Sequence, residues 1–259
     1  MTQQPRLNYD NIAPHYNQRY DSSPPPERIN ALFELVQRVN AQRILEAGCG
    51  TGFWLGLLAA KVQAAYGLDY SSGMLDQASG RPVSLRLSRG DAGHLPYHDH
   101  SFDLVYCVDA IHHFGNQHAF IAEAFRVLCP GGALAVLGSD PHSGDDSWYV
   151  HDYFQGVLET DLRRFPAGSA ILTWMQQEGF QNVTSKQVER ISEIYLGEDI
   201  FNNPFLKKNS CSQLALLSEE AYQAGLEKIK AAIAREGQIP FRNELHIKMY
   251  TGFKPGAGL

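Results

Sequence analysis

Ile44–Gly52 reads ILEAGCGTG: an apolar run, an acid, then glycine at three alternate positions, Gly48, Gly50 and Gly52. A short apolar run that closes on glycines reads as a strand, a tight turn and the start of a helix. Turns of this kind bring backbone N–H groups close to a bound group. The spacing narrows what that group is. A dinucleotide fingerprint needs its third glycine at position 53, which is Phe53 here. A triphosphate loop needs Gly-Lys-Ser/Thr, and no lysine follows these glycines. Glu46, just inside the strand, would repel a pyrophosphate. It suits fixing the loop or attracting an ammonium group.

Moving outward, strands and helices alternate. RILEAG precedes a predicted helix from about Phe53 to Lys61, and AAYGLDY precedes one around Ser72 to Ala78. VSLRLSRG leads to the loop DAGHLPYHDHS. FDLVYCV leads to a helix from about Gln117 to Leu128, then a CPGG turn and the strand ALAVLGS. Apolar β-rich runs separated by helices predict parallel βαβ units, an α/β, doubly wound, mostly parallel seven-stranded sheet of Rossmann-like type. Upstream, Tyr9, Ile12, Ala13, Tyr16 and Tyr20 fall at helical spacing. After the break SSPPPE, so do Ile29, Leu32, Phe33 and Val36. After Asp140 the rhythm changes. Trp148–Leu158 and Ser169–Glu178 read as helices, FQNVTSKQVERI as a strand, and residues 198–235 as mostly helical. FRNELHIKMYTGFKP reads as a last strand, able to rejoin the sheet antiparallel at its edge. The expected organisation is N-terminal helices over the site (1–40), a binding core (41–140), and a helical lid insertion with the C-terminal strands (141–259).

The composition sets limits. Of 259 residues, 44% are hydrophobic and 19% charged, which suits a globular fold with a sizeable core. The net charge is −6, and the basic segment Glu227–Arg235 mixes both signs, so no nucleic-acid partner is expected. Cys49, Cys107, Cys129 and Cys211 are widely spaced and form no ligand pattern. The expectation is no metal and reduced thiols. MTQQPRLNYD lacks a signal pattern and no apolar run approaches a membrane span, so a cytoplasmic protein without membrane association is expected.

Two acids identify the bound group. Asp69 ends the second strand, placed to accept from both hydroxyls of a ribose, and Asp91 ends the third, placed to accept from an adenine amine. An amino-acid end, a ribose and an adenine without phosphate describe S-adenosylmethionine. The order LEAGCGTG, GLDYSSGML, GDAGHLPY, FDLVYCVDAIHHF, RVLCPGG over roughly residues 8–140 resembles the class I methyltransferases, nearest the small-molecule branch of quinone-ring and biotin-pathway enzymes. The resemblance implies methyl transfer to a small-molecule metabolite, with an O, N or C acceptor left open. It implies that Gly48, Cys49 and Gly50 cradle the methionine end and that Glu46 orders that loop. It also implies that Asp69 holds the ribose, Tyr70 and Met74 border the adenine, Asp91 and Ala92 bind its amine edge, and Val108 lies beside the methionine. Met74 and Val108 read equally as core packing. The sequence lacks the Asn/Asp-Pro-Pro-Tyr/Phe loop and the Pro-Cys nucleophile of nucleic-acid enzymes.

VDAIHHF follows the fourth strand, at the sheet's ligand-binding edge. It also resembles the corresponding loop of phosphoethanolamine-type methyltransferases, in which an acid, a histidine four residues later and an N-terminal tyrosine act together. Asp109 and His113 match that spacing. Tyr9, Tyr16 and Tyr20 are the tyrosines available, and Tyr16 is favoured, as cofactor lid and catalytic partner of His113. The competing reading of His112 and His113 is a polar wall with no proton transfer. Beyond Asp140, Trp148, Tyr149, His151, Asp152 and Tyr153 suit an organic substrate, with Trp148 and Asp152 one helical turn apart; a packed helix cap fits them equally. Arg163 and Arg164 fit an anion grip or, more simply, a solvated surface.

Overall fold

The computed structural model describes residue 7, residues 9–16 and residues 26–256. Among these, eight strands form one sheet: β1 (Arg43–Ala47), β2 (Ala64–Asp69), β3 (Arg86–Arg89), β4 (Phe102–Val108), β5 (Leu128–Gly138), β6 (Ser147–Trp148), β7 (Gln181–Leu196) and β8 (Pro240–Phe253). Strands β3-β2-β1-β4-β5 run parallel in that order, and β8 joins β5 antiparallel. The expected last strand therefore returns, but not to the edge. β8 lies inside, with β7 zipped along its other side and the two-residue β6 beside its start. That short strand brings the expected seven to eight.

The chain reverses its winding between β1 and β4. From β1 it passes through α3 (Phe53–Ala59) to β2. From β4 it passes through α5 (Gln117–Val127) to β5. The two carboxyl ends therefore open side by side at a crevice, where sheets of this type bind ligands. One apolar core fills each face. On one side Ile44, Leu55 and Leu104 pack under Leu32 and Val36 of α2 (Pro26–Arg38). On the other, Leu45, Val105 and Val136 pack under Phe120 and Ile121 of α5 and Met175 of α8 (Gly168–Gln177). Strands β1, β4 and β5 are buried on both sides, hence their apolar runs. The CPGG turn is absorbed into β5 as a register shift, with Gly131 at φ +83°.

The region after Asp140 departs most from expectation. Trp148–Leu158 is not one helix. Trp148 belongs to β6, α6 covers Tyr149–Tyr153, and Gly156 at φ +81° breaks the chain before α7 (Val157–Arg164). Residues 197–206 form two 3-10 turns, the second begun by Pro204 and capped by Asn203. Regular helix resumes with α9 (Ser212–Ala215) and α10 (Glu219–Glu236), which Ser218 caps. These pieces share a third core of Trp148, Tyr149, Phe154, Val157, Ile229 and Phe241. In it Gly225 is a contact point: a Cβ there would lie 2.2 Å from the Phe154 ring. Gly225→Ala should therefore destabilise by about 1–3 kcal/mol although alanine is the better helix former. Denaturant melts check this, and a gain would mean that Phe154 moves freely.

Candidate functional site

The glycine loop is built by backbone contacts. Gly48 N–H and Cys49 N–H both donate to Leu68 O, at 2.7 and 3.0 Å, tying the loop to the end of β2. Gly48, Gly50 and Gly52 have φ of +69°, +52° and +68°, which side chains with a Cβ rarely adopt. A Cβ on Gly48 would also meet Ala110 at 2.7 Å.

Asp69 carries the loop from the other side. Its Oδ2 accepts Gly50 N–H at 2.7 Å and its Oδ1 accepts Ser71 N–H at 2.9 Å. Tyr70 N–H donates to it as well, and the residue stays partly exposed, so the carboxylate can still accept from a hydroxyl. Burial pushes its carboxyl up, against the pull of these N–H donors. Beside it, Tyr70 is 59% exposed with the Arg89 guanidinium 6.0 Å over its ring, while Met74 is buried at the start of α4 (Ser72–Ser79). Asp91 is half-buried, with Oδ1 held by Gly93 N–H at 2.8 Å. Ala92 is buried next to it. Val108 packs in the α2-side core at the end of β4. The acceptor set fits an adenosine with an amino-acid tail, and the arginine at the loop, Arg81, donates its Nε to Thr51 O at 2.6 Å.

Glu46 lies beneath the loop, 1% exposed, where it accepts from Tyr106 Oη and from the backbone N–H of Leu55. Leu55 is in the first turn of α3, whose N-cap, Gly52, has no side chain to offer. Glu46 thus supplies from the strand the acceptor that the cap lacks. Burial raises its carboxyl well above the ordinary 4.5. The folded chain therefore holds this proton more tightly than the unfolded chain. The stability it lends is complete below pH 4.5 and is lost as the pH climbs through the raised folded value. Glu46→Gln should cost about 1 kcal/mol at pH 5, because its amide leaves a donor unpaired. The deficit should shrink or reverse by about pH 9. Thermal melts at the two pH values check it, and a deficit that grows with pH would overturn the assignment.

A second wall comes from the N-terminus. Tyr9–Asn11 forms a 3-10 turn and α1 covers Ala13–Tyr16. Asp10 pins this segment to α4, accepting from Ser71 Oγ at 2.6 Å and Gly73 N–H at 2.8 Å. Tyr9 Oη lies 2.8 Å from His113 Nε2. The favoured tyrosine, Tyr16, instead packs edge-on against Tyr9 at 6.2 Å and over Gly50, and Tyr9, seven residues earlier in the 3-10 turn, meets the histidine. Tyr20 lies outside the described residues. The expected acid–histidine pair is not made either: Asp109, at φ +48°, takes Arg28 Nη1 at 2.6 Å.

His112 and His113 sit in a 3-10 turn after β4 and part company. Their rings touch at 4.0 Å, His112 stacks on Phe165 at 3.8 Å, and His113 meets Tyr9. Behind His113 stands Arg164 of α7, 9% exposed, with Nη2 3.3 Å from His113 Nδ1. Arg164 is thus no solvated surface residue, whereas Arg163 is exposed. Of the expected substrate group, Trp148 and Tyr149 are buried in the third core, and Tyr149 Oη accepts from Asn203 Nδ2 at 3.2 Å. Asp152 is exposed. Trp148 precedes the helix, so the shared face with Asp152 does not form. Tyr9, Asp10 and Arg164 are the residues that sequence reasoning undervalued. The clue for Arg164 was its place three residues after Asp161, which is also buried.

A family profile described as a methyltransferase domain matches residues 45–136. The demethylmenaquinone methyltransferase of Lactiplantibacillus plantarum is 30% identical over 218 residues, which cover 68% of this chain and 86% of that protein. A phthiotriol/phenolphthiotriol dimycocerosates methyltransferase of Mycobacterium leprae is 36% identical over 138 residues, 50% of this chain and 51% of that one. Among solved structures, a putative methyltransferase from an antibiotic biosynthesis pathway of Anabaena variabilis superposes with a TM-score of 0.68. It is 24% identical and covers 88% of this chain and 97% of its own. Among the described residues, no helix is long and apolar enough to cross a membrane. With the winding reversal and the glycine loop at its crevice, these findings place the protein: the chain belongs to the class I S-adenosylmethionine-dependent methyltransferases.

Proposed function

We propose that the chain transfers the methyl group of S-adenosylmethionine to a small-molecule metabolite. The observation that carries this is Asp69, bound by Gly50 and Ser71 yet with acceptor capacity left, at a crevice roofed by Tyr9 and His113. Relatives named for demethylmenaquinone and for phthiotriol dimycocerosates support a lipid-like small-molecule acceptor. In this reading Gly48, Cys49 and Gly50 approach the methionine end, and Glu46 holds the loop from below. Asp69 takes the ribose diol, Tyr70 and Met74 border the adenine, Asp91 and Ala92 take its amine edge, and Val108 backs the tail. Among the described residues, those up to 40 cover the site, 41–140 bind the cofactor, and those from 141 onward form the lid and close the sheet.

The bound cofactor supplies an electrophilic methyl group on a sulfonium. The chain's work is alignment and exclusion of water. Tyr9 and Tyr16 close over the loop, His112 is braced by Phe165, and His113 and Arg164 present the polar wall. Calorimetry with S-adenosylmethionine and with NAD separates the cofactors, and binding of NAD alone would sink the reading. Transfer of a labelled methyl group to a panel of small oxygenated metabolites then tests the acceptor class. Label that enters only protein or RNA would replace it with a macromolecular acceptor, and binding without transfer to any acceptor would leave a non-catalytic cofactor-binding protein.

A further inference from the structure

α7 sets a buried cation against His113. Arg164 Nη2 lies 3.3 Å from His113 Nδ1 and 3.1 Å from Ser212 Oγ, on α9. Its Nη1 makes no hydrogen bond and stands 3.6 Å from Asp161 Oδ1; the other oxygen of that carboxylate meets His151 Nε2 at 3.3 Å. Asp161 is 1% exposed, so guanidinium and carboxylate hold one another out of water. A guanidinium has donors only and keeps its proton. In this contact His113 Nδ1 therefore accepts. An imidazole that accepts at Nδ1 is neutral and carries its hydrogen on Nε2. Nε2 faces Tyr9 Oη at 2.8 Å, so the ring donates there.

We propose that Arg164 is a positioning residue that holds His113 neutral with its proton on Nε2, and that the site consequently takes a methyl acceptor bearing an anionic oxygen, such as a phenolate or enolate. This deepens the methyl-transfer reading and rests on it. The acceptor oxygen replaces Tyr9 Oη at the Nε2–H donor, with the Arg164 charge behind the ring. Such an acceptor arrives without its proton. Its electron pair, on the oxygen, forms the bond to the methyl carbon. The carbon–sulfur bond breaks with its pair going to sulfur, and no base on the chain is required. His113 is then a hydrogen-bond donor rather than the base that its place in the loop suggests. Among the described residues, the groups that bear on its proton include Arg164 with Asp161 behind it, the His112 ring at 4.0 Å, and Tyr9.

The test is nitrogen NMR of the full chain grown with ring-labelled histidine, in the presence of S-adenosylhomocysteine. The His113 signals are identified by their loss in His113→Gln. The expected spectrum at pH 7 is a neutral ring with hydrogen on Nε2. In Arg164→Met the ring should populate both tautomers. kcat should fall about 10–100-fold and the KM of an anionic acceptor should rise, with cofactor affinity unchanged within about twofold. Arg164→Lys should recover part of the loss, since it keeps charge and donor. A hydrogen on Nδ1, or an imidazolium at pH 7, would overturn the proposal in the wild type itself, whether or not the variants fold. A ring spectrum unmoved by Arg164→Met would do the same. If instead the chain fails to bind S-adenosylmethionine by calorimetry, it is the methyl-transfer reading that falls, and the tautomer result stands apart from it.

Discussion

Arg28→Met should lower the stability of the folded chain by about 3–5 kcal/mol at pH 8, the loss expected when one partner of a buried ion network is removed. Arg28 projects from the first turn of α2, its side chain only 8% exposed. It bridges Asp109, after β4, and Glu189 of β7, and its guanidinium lies 5.8 Å from the centre of the Trp54 ring. Three elements far apart in sequence thus share one cation. Without it two carboxylates face each other, and Glu189 is already pushed up by burial. Methionine keeps the volume, so the loss measures charge rather than a cavity. Protonation of Glu189 relieves the repulsion, so the deficit should be smaller at pH 5 than at pH 8. Adding Glu189→Gln to Arg28→Met should restore part of the stability, since the removed charge no longer needs its partner. Urea melts at both pH values check this, and a loss under about 1 kcal/mol would show that solvent reaches the carboxylates in the folded chain.

That network also shows where the sequence was legible and where it was not. Strand and helix spans through Gly138 are local properties: apolar runs give β1, β4 and β5, and Gly48, Gly50 and Gly52 mark the turn by spacing alone. Asp69 ends β2 for the same reason, whereas Asp91, expected to end the third strand, lies two residues beyond β3. The partners of the histidines are not local. Asp109 stands four residues before His113, but a left-handed φ at Asp109 turns it to Arg28, 81 positions away. Arg164 lies 51 positions after His113 and reaches it only because Gly156 breaks the expected long helix and re-aims α7. No periodicity in the sequence carries that redirection. Tyr149 misled for a related reason: aromatic density suits a ligand and a core equally, and only β8, with Phe241, decided for the core.

Asp69→Asn should weaken binding of S-adenosylhomocysteine by about 2–3 kcal/mol, roughly 30–150-fold, as charge-assisted hydrogen bonds become neutral ones and one acceptor becomes a donor. Two effects combine in that figure. One is the loss of acceptors toward the ribose. The other is local: the amide satisfies only one of Gly50 N–H and Ser71 N–H, which the two carboxylate oxygens now share between them. A ligand that lacks one hydroxyl separates them. Against the wild type, the 2′-deoxy analogue should lose most of the ribose contribution. Against Asp69→Asn it should lose little more, because the acceptor is already spoiled. Equal penalties in both proteins would mean that Asp69 only shapes the loop and that the ribose lies elsewhere. Acidity gives an independent check. Burial raises the Asp69 carboxyl above its ordinary 3.8, so affinity for the cofactor should begin to fall on acidification at a higher pH than an exposed aspartate would dictate. Asp69→Asn should abolish that limb of the profile. Glu46 should not, since its carboxyl lies beneath the loop and takes no part in the contact.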